Sequence, residues 1–118
     1  MAKLLVHLAT GPENPTRAAL AFLVAKTAAE EGHEVHVFLA GDAVHLARGE
    51  TADATQGVGT GSVREHWAAL READVPIYLS GMSSKARGLD ESTAEGVELV
   101  PPQKLVELAT EVDSTLTY

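Results

Sequence analysis

The sequence predicts an α/β fold, a three-layer α/β/α sandwich on a mostly parallel five-stranded sheet. Short apolar runs of strand length alternate with stretches of helical periodicity along the chain. The first two runs, residues 4–9 and 34–40, flank one helical stretch, which is the pattern of a βαβ unit with parallel strands. No linker or change of composition divides residues 1–118, so we expect a single domain.

The first βαβ unit carries helix signals at both ends of its helix. Residues 4–9 are almost continuously apolar, which suits a strand buried on both faces. Asn14 is a good N-cap and Pro15 suits the first helical position, so a helix is predicted to start there. Gly32 stands where a glycine commonly ends a helix.

The middle of the chain is predicted to hold a short helix, a loop and a longer helix. Asp42 follows the second strand and is predicted to cap the short helix. Residues 49–61 are polar, glycine-rich and aperiodic, which predicts one long mobile loop. Ser62 and Glu65 have the spacing of a capping box and open the longer helix.

The last third of the chain supplies three more strands. Residues 76–79 and 97–100 are short apolar runs, and Pro101 with Pro102 ends the second of them and starts a helix. Residues 113–118 are polar with β propensity, so we expect a fifth strand at an edge of the sheet.

Composition excludes several classes of function. The net charge of −8 argues against nucleic-acid binding, which needs a basic surface. The apolar runs are too short to cross a bilayer, and the opening residues lack a signal-peptide pattern, so we expect a cytoplasmic protein. The chain has no cysteine, which excludes disulfides, thiolate metal sites and thiol chemistry of its own.

The strongest candidate for a ligand site is the stretch I-Y-L-S-G-M-S-S-K-A-R-G-L at residues 77–89. A strand, a tight turn and a helix start place backbone N–H groups at the carboxyl end of a parallel sheet, where ligands of open α/β folds usually bind. The alternative is a tight connection whose residues are small for steric reasons. The candidate ligand-binding residues here are Ser80, Gly81, Met82, Ser83, Ser84 and Arg87.

A second candidate is the turn between the first strand and the first helix. It offers Thr10, Asn14 and Arg17 beside a helix N-terminus, and its alternative interpretation is helix capping alone. Glycine-rich residues 57–61 match no phosphate-loop motif and follow no strand, so they are interpreted as loop.

Neither a metal site nor a catalytic serine has strong support. His7 and His36 lie on neighbouring predicted strands and suit metal binding or proton transfer, but hydrogen-bonded core histidines are the expected alternative. His33-x-x-His36 resembles a metal spacing only loosely and lacks a third ligand. Ser80 lies outside any G-x-S-x-G motif and has no histidine beside it in sequence. We therefore predict no metal and no cofactor.

Three further side chains on predicted helices have structural interpretations. We expect His45 and His66 to face solvent or a subunit contact. Trp67, the only tryptophan, is predicted to pack its helix onto the sheet, with a partner interface as the alternative.

Across its whole length the chain resembles the DsrE/DsrF-like family of small sulfur-relay proteins. The resemblance lies in K-L-L-V-H-L-A-T-G-P-E-N-P-T-R-A near the start, in G-H-E-V-H-V-F-L-A-G-D-A-V, and above all in residues 77–89. It implies a cysteine just after the third strand that holds a persulfide, and the matching position here is Ser80. It also implies assembly into trimers or hexamers with this corner near subunit contacts.

Three functions follow as expectations. The first is a non-catalytic protein that has lost persulfide chemistry and binds a small anionic ligand or a sulfur-relay partner. The second is a structural or regulatory subunit of a hetero-oligomeric sulfur-transfer complex. The third is a hydrolase or transferase that uses Ser80, His7 or His36 in a hydrolytic or transfer step.

Overall fold

Five parallel strands form the centre of the computed structural model, which describes every residue from 1 to 118. These strands are β1 (Lys3–Leu8), β2 (Glu34–Leu39), β5 (Ile77–Ser80), β6 (Val97–Val100) and β7 (Ser114–Thr117). Their order across the sheet is β6-β5-β2-β1-β7. The predicted five-stranded α/β sheet is confirmed, and it is parallel throughout.

Five helices and a 3₁₀ segment surround the sheet. They are α1 (Pro15–Glu30), the 3₁₀ segment Gly41–Ala47, α2 (Gly49–Ala54), α3 (Val63–Glu72), α4 (Gly81–Ala86) and α5 (Pro102–Glu111). None of these helices is long and apolar enough to cross a membrane.

The two faces of the sheet are covered unequally. A core of 22 buried residues lies on the face that carries α1 and α3. The opposite face has a core of four buried residues, Leu5, Phe38, Val100 and Leu108, the last of which belongs to α5. The strand register places His7 opposite Phe38 and His36 opposite Leu5, so both histidines lie on this thinly covered face.

Several local signals act as predicted. Asn14 Oδ1 accepts a hydrogen bond from Arg17 N at 3.1 Å and caps α1. Ser62 Oγ accepts from Glu65 N at 3.3 Å and caps α3. Gly32 follows α1 with a φ of +88°, a left-handed conformation that favours glycine. Strand β7 lies at an edge of the sheet and is exposed along its length.

The prediction of one long loop at residues 49–61 is wrong. This segment contains helix α2 and a small antiparallel hairpin of β3 (Gln56–Gly57) and β4 (Gly61–Ser62). Thr16 holds the hairpin onto α1, since its hydroxyl accepts from Val58 N at 3.1 Å and its carbonyl accepts from Thr60 Oγ1 at 3.1 Å. Such contacts join residues more than forty positions apart, so the local sequence does not reveal them.

The environments of His66 and Trp67 also differ from the predictions. His66 is only 7% exposed rather than solvent-facing, and its Nε2 lies 2.8 Å from the carbonyl oxygen of Thr60 in the hairpin. Trp67 is buried, but it stacks on Phe22 of α1 with the ring centroids 5.5 Å apart. It therefore packs α3 against α1. His45 is partly exposed in the 3₁₀ segment.

Candidate functional site

Ser80 ends β5 and caps the helix that follows it. Its Oγ accepts a hydrogen bond from Ser83 N at 3.2 Å, which is the N-cap geometry that a serine favours. Gly81 comes next, and a Cβ added there would lie 3.4 Å from the carbonyl oxygen of Val100. A Cβ at this position would therefore make an ordinary contact with the end of β6.

Ser83 ties this corner to the end of β2. Its Oγ accepts a hydrogen bond from the backbone N–H of Gly41 at 2.9 Å. Gly41 directly follows β2 and has a φ of +55°. This bond links the carboxyl ends of two neighbouring strands, so the first turn of α4 is fixed by tertiary structure as well as by its own cap.

Arg87 holds the other end of α4. Its Nε and Nη2 donate to Asp42 Oδ1 at 3.2 and 3.0 Å, and its Nη1 donates to the carbonyl of Ser83 at 3.1 Å. Arg48 Nη2 donates in turn to the carbonyl of Arg87 at 2.7 Å. The guanidinium is thus fixed in place at the edge of the corner, with 28% of the side chain exposed.

The role of Asp42 corrects a prediction. Asp42 does not cap the 3₁₀ segment, whose N-cap is Ala40 without a side-chain hydrogen bond. Its carboxylate pairs with Arg87 instead. Sequence analysis missed Gly41, Asp42 and Arg48 as parts of this corner. The available signal was that Gly41 and Asp42 follow a strand at the same edge of the sheet.

The remaining predicted residues of the corner differ in exposure. Met82 is 71% exposed, whereas Ser84 is completely buried and its Oγ has no hydrogen-bond partner. Ser84 therefore faces the interior. Beside Met82 lies a cavity of about 430 Å³ between α4 and the start of α5, and its lining includes Gly81, Lys85 and Pro101.

The turn after β1 reaches the same edge of the sheet but a different cavity. Asn14 and Arg17 border a cavity of about 650 Å³ together with Tyr118, which follows the edge strand β7. Asn14 caps α1, Arg17 is exposed, and Thr10 is partly exposed. This cavity and the one beside Met82 share no residue, so the structure does not join the two predicted groups in one pocket.

Backbone packing nevertheless links the turn to the corner. Gly11 is buried, and a Cβ added to it would collide with the carbonyl oxygen of Asp42. Only glycine lets the β1 turn approach the 3₁₀ segment this closely. Asp42 also forms the ion pair with Arg87. The turn after β1 therefore packs against the residue that holds Arg87 in place.

The histidines are not arranged around Ser80. No histidine forms a hydrogen bond with Ser80 Oγ, whose recorded partner is Ser83 N. Burial lowers the pKa of His7, whose Nε2 is buried without a partner. His36 Nε2 lies 3.1 Å from Glu34 Oε2, and His33 Nδ1 accepts from Ala2 N at 2.9 Å. No group of three or more metal-ligating side chains is present.

Comparison with known proteins identifies the family. The sequence model of the DsrE/DsrF-like family matches residues 2–118. The chain belongs to the DsrE/DsrF-like family. Its relatives include the uncharacterized protein MK0008 of Methanopyrus kandleri, which is 32% identical over 117 residues, covering 96% of this chain and 91% of that protein.

Solved structures share the fold of this DsrE/DsrF-like chain. The ychN protein from E. coli matches with a TM-score of 0.83 at 23% identity, and each chain is fully covered. Protein MTH1491 from Methanobacterium thermoautotrophicum, of unknown function, gives 0.73 at 16% identity with full coverage of both chains. Protein BT1422 from Bacteroides thetaiotaomicron, also of unknown function, gives 0.74 at 14% identity, covering 99% of this chain and 95% of that one.

Proposed function

We propose that this chain is a non-catalytic binding protein related to the sulfur-relay proteins of its family. The corner from Ser80 to Arg87 holds a small anionic ligand, and persulfide chemistry is lost because the chain has no cysteine. The observation that carries the proposal is the fixed geometry of this corner. Ser83 and Arg87 both form hydrogen bonds with the 3₁₀ segment, at Gly41 and Asp42, although the family thiol is absent.

The chemistry of the corner favours an anion. Arg87 keeps further guanidinium N–H groups beyond those that bond to Asp42 and Ser83. Lys85 lines the open cavity next to Met82, together with the carboxylate of Glu91. Ser80 contributes the hydroxyl that caps α4, and Gly81 has no side chain. A serine oxygen cannot carry a persulfide, so binding is the role that these groups can serve.

Oligomerisation is part of the same proposal. The sheet face with α5 is thinly covered, and Val106 on that helix is 62% exposed. A homotrimer or homohexamer would cover such a surface. We further propose that the protein acts in the cytoplasm and that it needs no metal or cofactor.

Isothermal titration calorimetry with thiosulfate tests the ligand proposal. Thiosulfate is a small sulfur-containing anion that suits the charge of the corner. We expect saturable binding that Arg87→Ala abolishes and that Lys26→Ala, a charge-matched change on α1, leaves intact. Absence of saturable heat, or equal loss in both variants, would contradict an anion site at the corner.

A second candidate function is that of a subunit in a hetero-oligomeric sulfur-transfer complex. The exposed thioether of Met82 beside the cavity lined by Pro101 favours it, because flexible methionines suit protein-binding surfaces. Coexpression with a cysteine-containing family member, followed by mass measurement on a sizing column, tests it. A mixed complex that Met82→Asp disrupts would support this function, whereas separate elution of the two chains would count against it.

A further inference from the structure

A second polar cavity lies beside α3 and shares no residue with the cavity next to Met82. Its volume is about 510 Å³, within the usual range for small-molecule sites. The polar lining consists of Arg64, Arg71, Thr93 and Glu95, and we call it the arginine cavity. Its apolar lining is formed by Leu46, Ala47, Ala52, Trp67 and Ala94.

Helix geometry explains why the two arginines face one cavity. Arg64, Trp67 and Arg71 follow the i, i+3, i+7 spacing, which puts them on one face of α3. Seven residues span about 10 Å along a helix axis, so the two arginines leave α3 at the two ends of this face and Trp67 leaves it between them. The helix therefore presents two positive charges on either side of an aromatic side chain.

Each guanidinium is held from one side and keeps further donors. Arg71 Nη1 donates to the carbonyl of Gly96 at 3.2 Å, and a Cβ at Gly96 would collide with the Arg71 guanidinium. Arg64 Nε lies 3.3 Å from Asp53 Oδ1, with 57% of the arginine side chain and 61% of the aspartate side chain exposed. An ion pair this exposed stabilises little, so a bound anion can replace Asp53 at small cost.

The charge of the lining selects the ligand class. The two guanidinium groups are matched by the carboxylate of Glu95 in the lining and by that of Asp53, which pairs with Arg64. One ligand carboxylate can take the place of Asp53, whereas a phosphate dianion would add a further negative charge beside Glu95. The apolar part of the lining suits a hydrocarbon body.

We propose that the arginine cavity binds a small monocarboxylate with an aliphatic body. The carboxylate lies between Arg64 and Arg71 and the body lies against the apolar lining. This site is separate from the corner at Ser80, so a failure to bind at one site does not affect the proposal for the other.

Trp67 provides a direct readout, since it is the only tryptophan in the chain and lines the cavity. We would titrate the full-length protein with hexanoate, hexan-1-ol and inorganic phosphate at constant ionic strength and record tryptophan fluorescence. The proposal predicts a saturable change with hexanoate and none with hexan-1-ol or phosphate. Equal responses to hexanoate and hexan-1-ol, or no saturable response to hexanoate, would overturn it.

Two variants test the charges separately. Arg71→Gln should weaken hexanoate binding about tenfold or more, because a charge-assisted hydrogen bond is lost. Lys26→Gln, a matched change outside the cavity, should leave it unchanged. Glu95→Gln should tighten binding about two- to fivefold, since it removes a like charge at modest exposure. This increase tests the proposal even if Arg71→Gln fails to fold, and an unchanged or weaker affinity in Glu95→Gln would refute it.

Discussion

The corner after β5 and the turn after β1 both join a parallel strand to a helix at the same edge of the sheet. They differ in how far away in sequence the hydrogen-bond partners of their side chains lie. In the corner, Ser83 and Arg87 bond to Gly41 and Asp42, which are more than forty residues away in sequence. In the turn, the side chain of Asn14 forms a hydrogen bond only with Arg17 N, in the first turn of its own helix.

This difference separates a preorganised site from a helix cap. A side chain fixed by distant partners has already lost its conformational freedom before a ligand arrives, which reduces the cost of binding. The side chain of Asn14 only caps its own helix, so no distant partner fixes it in this way. The comparison therefore favours the corner as the ligand site, and four changes test it, in order of expected effect.

The largest effect is expected at Gly11, where the two regions touch. In Gly11→Ala the new Cβ collides with the carbonyl oxygen of Asp42, so the turn and the 3₁₀ segment must move apart. We expect the free energy of unfolding in urea to fall by about 2–3 kcal/mol. Gly49→Ala is the control, because its Cβ would lie 3.7 Å from Arg64 Nη1, an ordinary contact. Equal stability of the two variants would show that the regions are not coupled through Asp42.

Arg87→Ala should be the next most damaging change. It removes the ion pair with Asp42 and the bond to the carbonyl of Ser83. The expected loss is about 1–2 kcal/mol, since the pair is partly exposed. Arg17→Ala is the matched control in the other region and should cost less than about 0.5 kcal/mol. Similar losses in urea denaturation would remove the distinction between corner and turn.

Asn14→Ala tests the other side of the comparison. Loss of the cap on α1 should lower stability by about 1 kcal/mol. Thiosulfate binding, measured by calorimetry, should stay unchanged, because Asn14 makes no hydrogen bond to the corner from Ser80 to Arg87. Weaker binding in this variant would instead assign the turn to the ligand site.

The smallest effect concerns His7 on β1, the strand that leads into the turn. Burial lowers its pKa from the ordinary 6.5, so the unfolded chain binds a proton more readily than the folded one. The free energy of unfolding should therefore fall as the pH drops below the ordinary pKa and stop falling below the folded-state pKa. His7→Gln should flatten this dependence in urea denaturation between about pH 5 and pH 8. An identical slope in both proteins would contradict the role given to burial.

Local signals in the sequence were sufficient for much of the fold. Asn14, Gly32 and Ser62 mark helix ends because capping depends on a few neighbouring residues. The alternation of apolar runs and helical stretches predicted the sheet because burial on both faces leaves a continuous apolar pattern.

The features that the sequence did not predict depend on contacts between residues far apart in the chain. Asp42 has the same local sequence signature whether it caps a helix or pairs with Arg87, and only the folded chain brings the two together. His66 lies in a polar helix pattern, yet the hairpin folds over it. The sequence of segment 49–61 predicts a loop because it does not show the hydrogen bond between Val58 and Thr16, which lies more than forty positions earlier in the chain. The place of the Ser80–Arg87 corner at the end of β5 was predictable, whereas its hydrogen bonds to Gly41 and Asp42 were not.

Native mass spectrometry of the protein as purified tests the central claim most directly, because it reports assembly and retained ligand together. The account predicts a homotrimer or homohexamer that carries additional small-molecule mass, with that mass lost in Arg87→Ala and kept in Lys26→Ala. An empty monomer would contradict both the binding role of the Ser80–Arg87 corner and its place at subunit contacts.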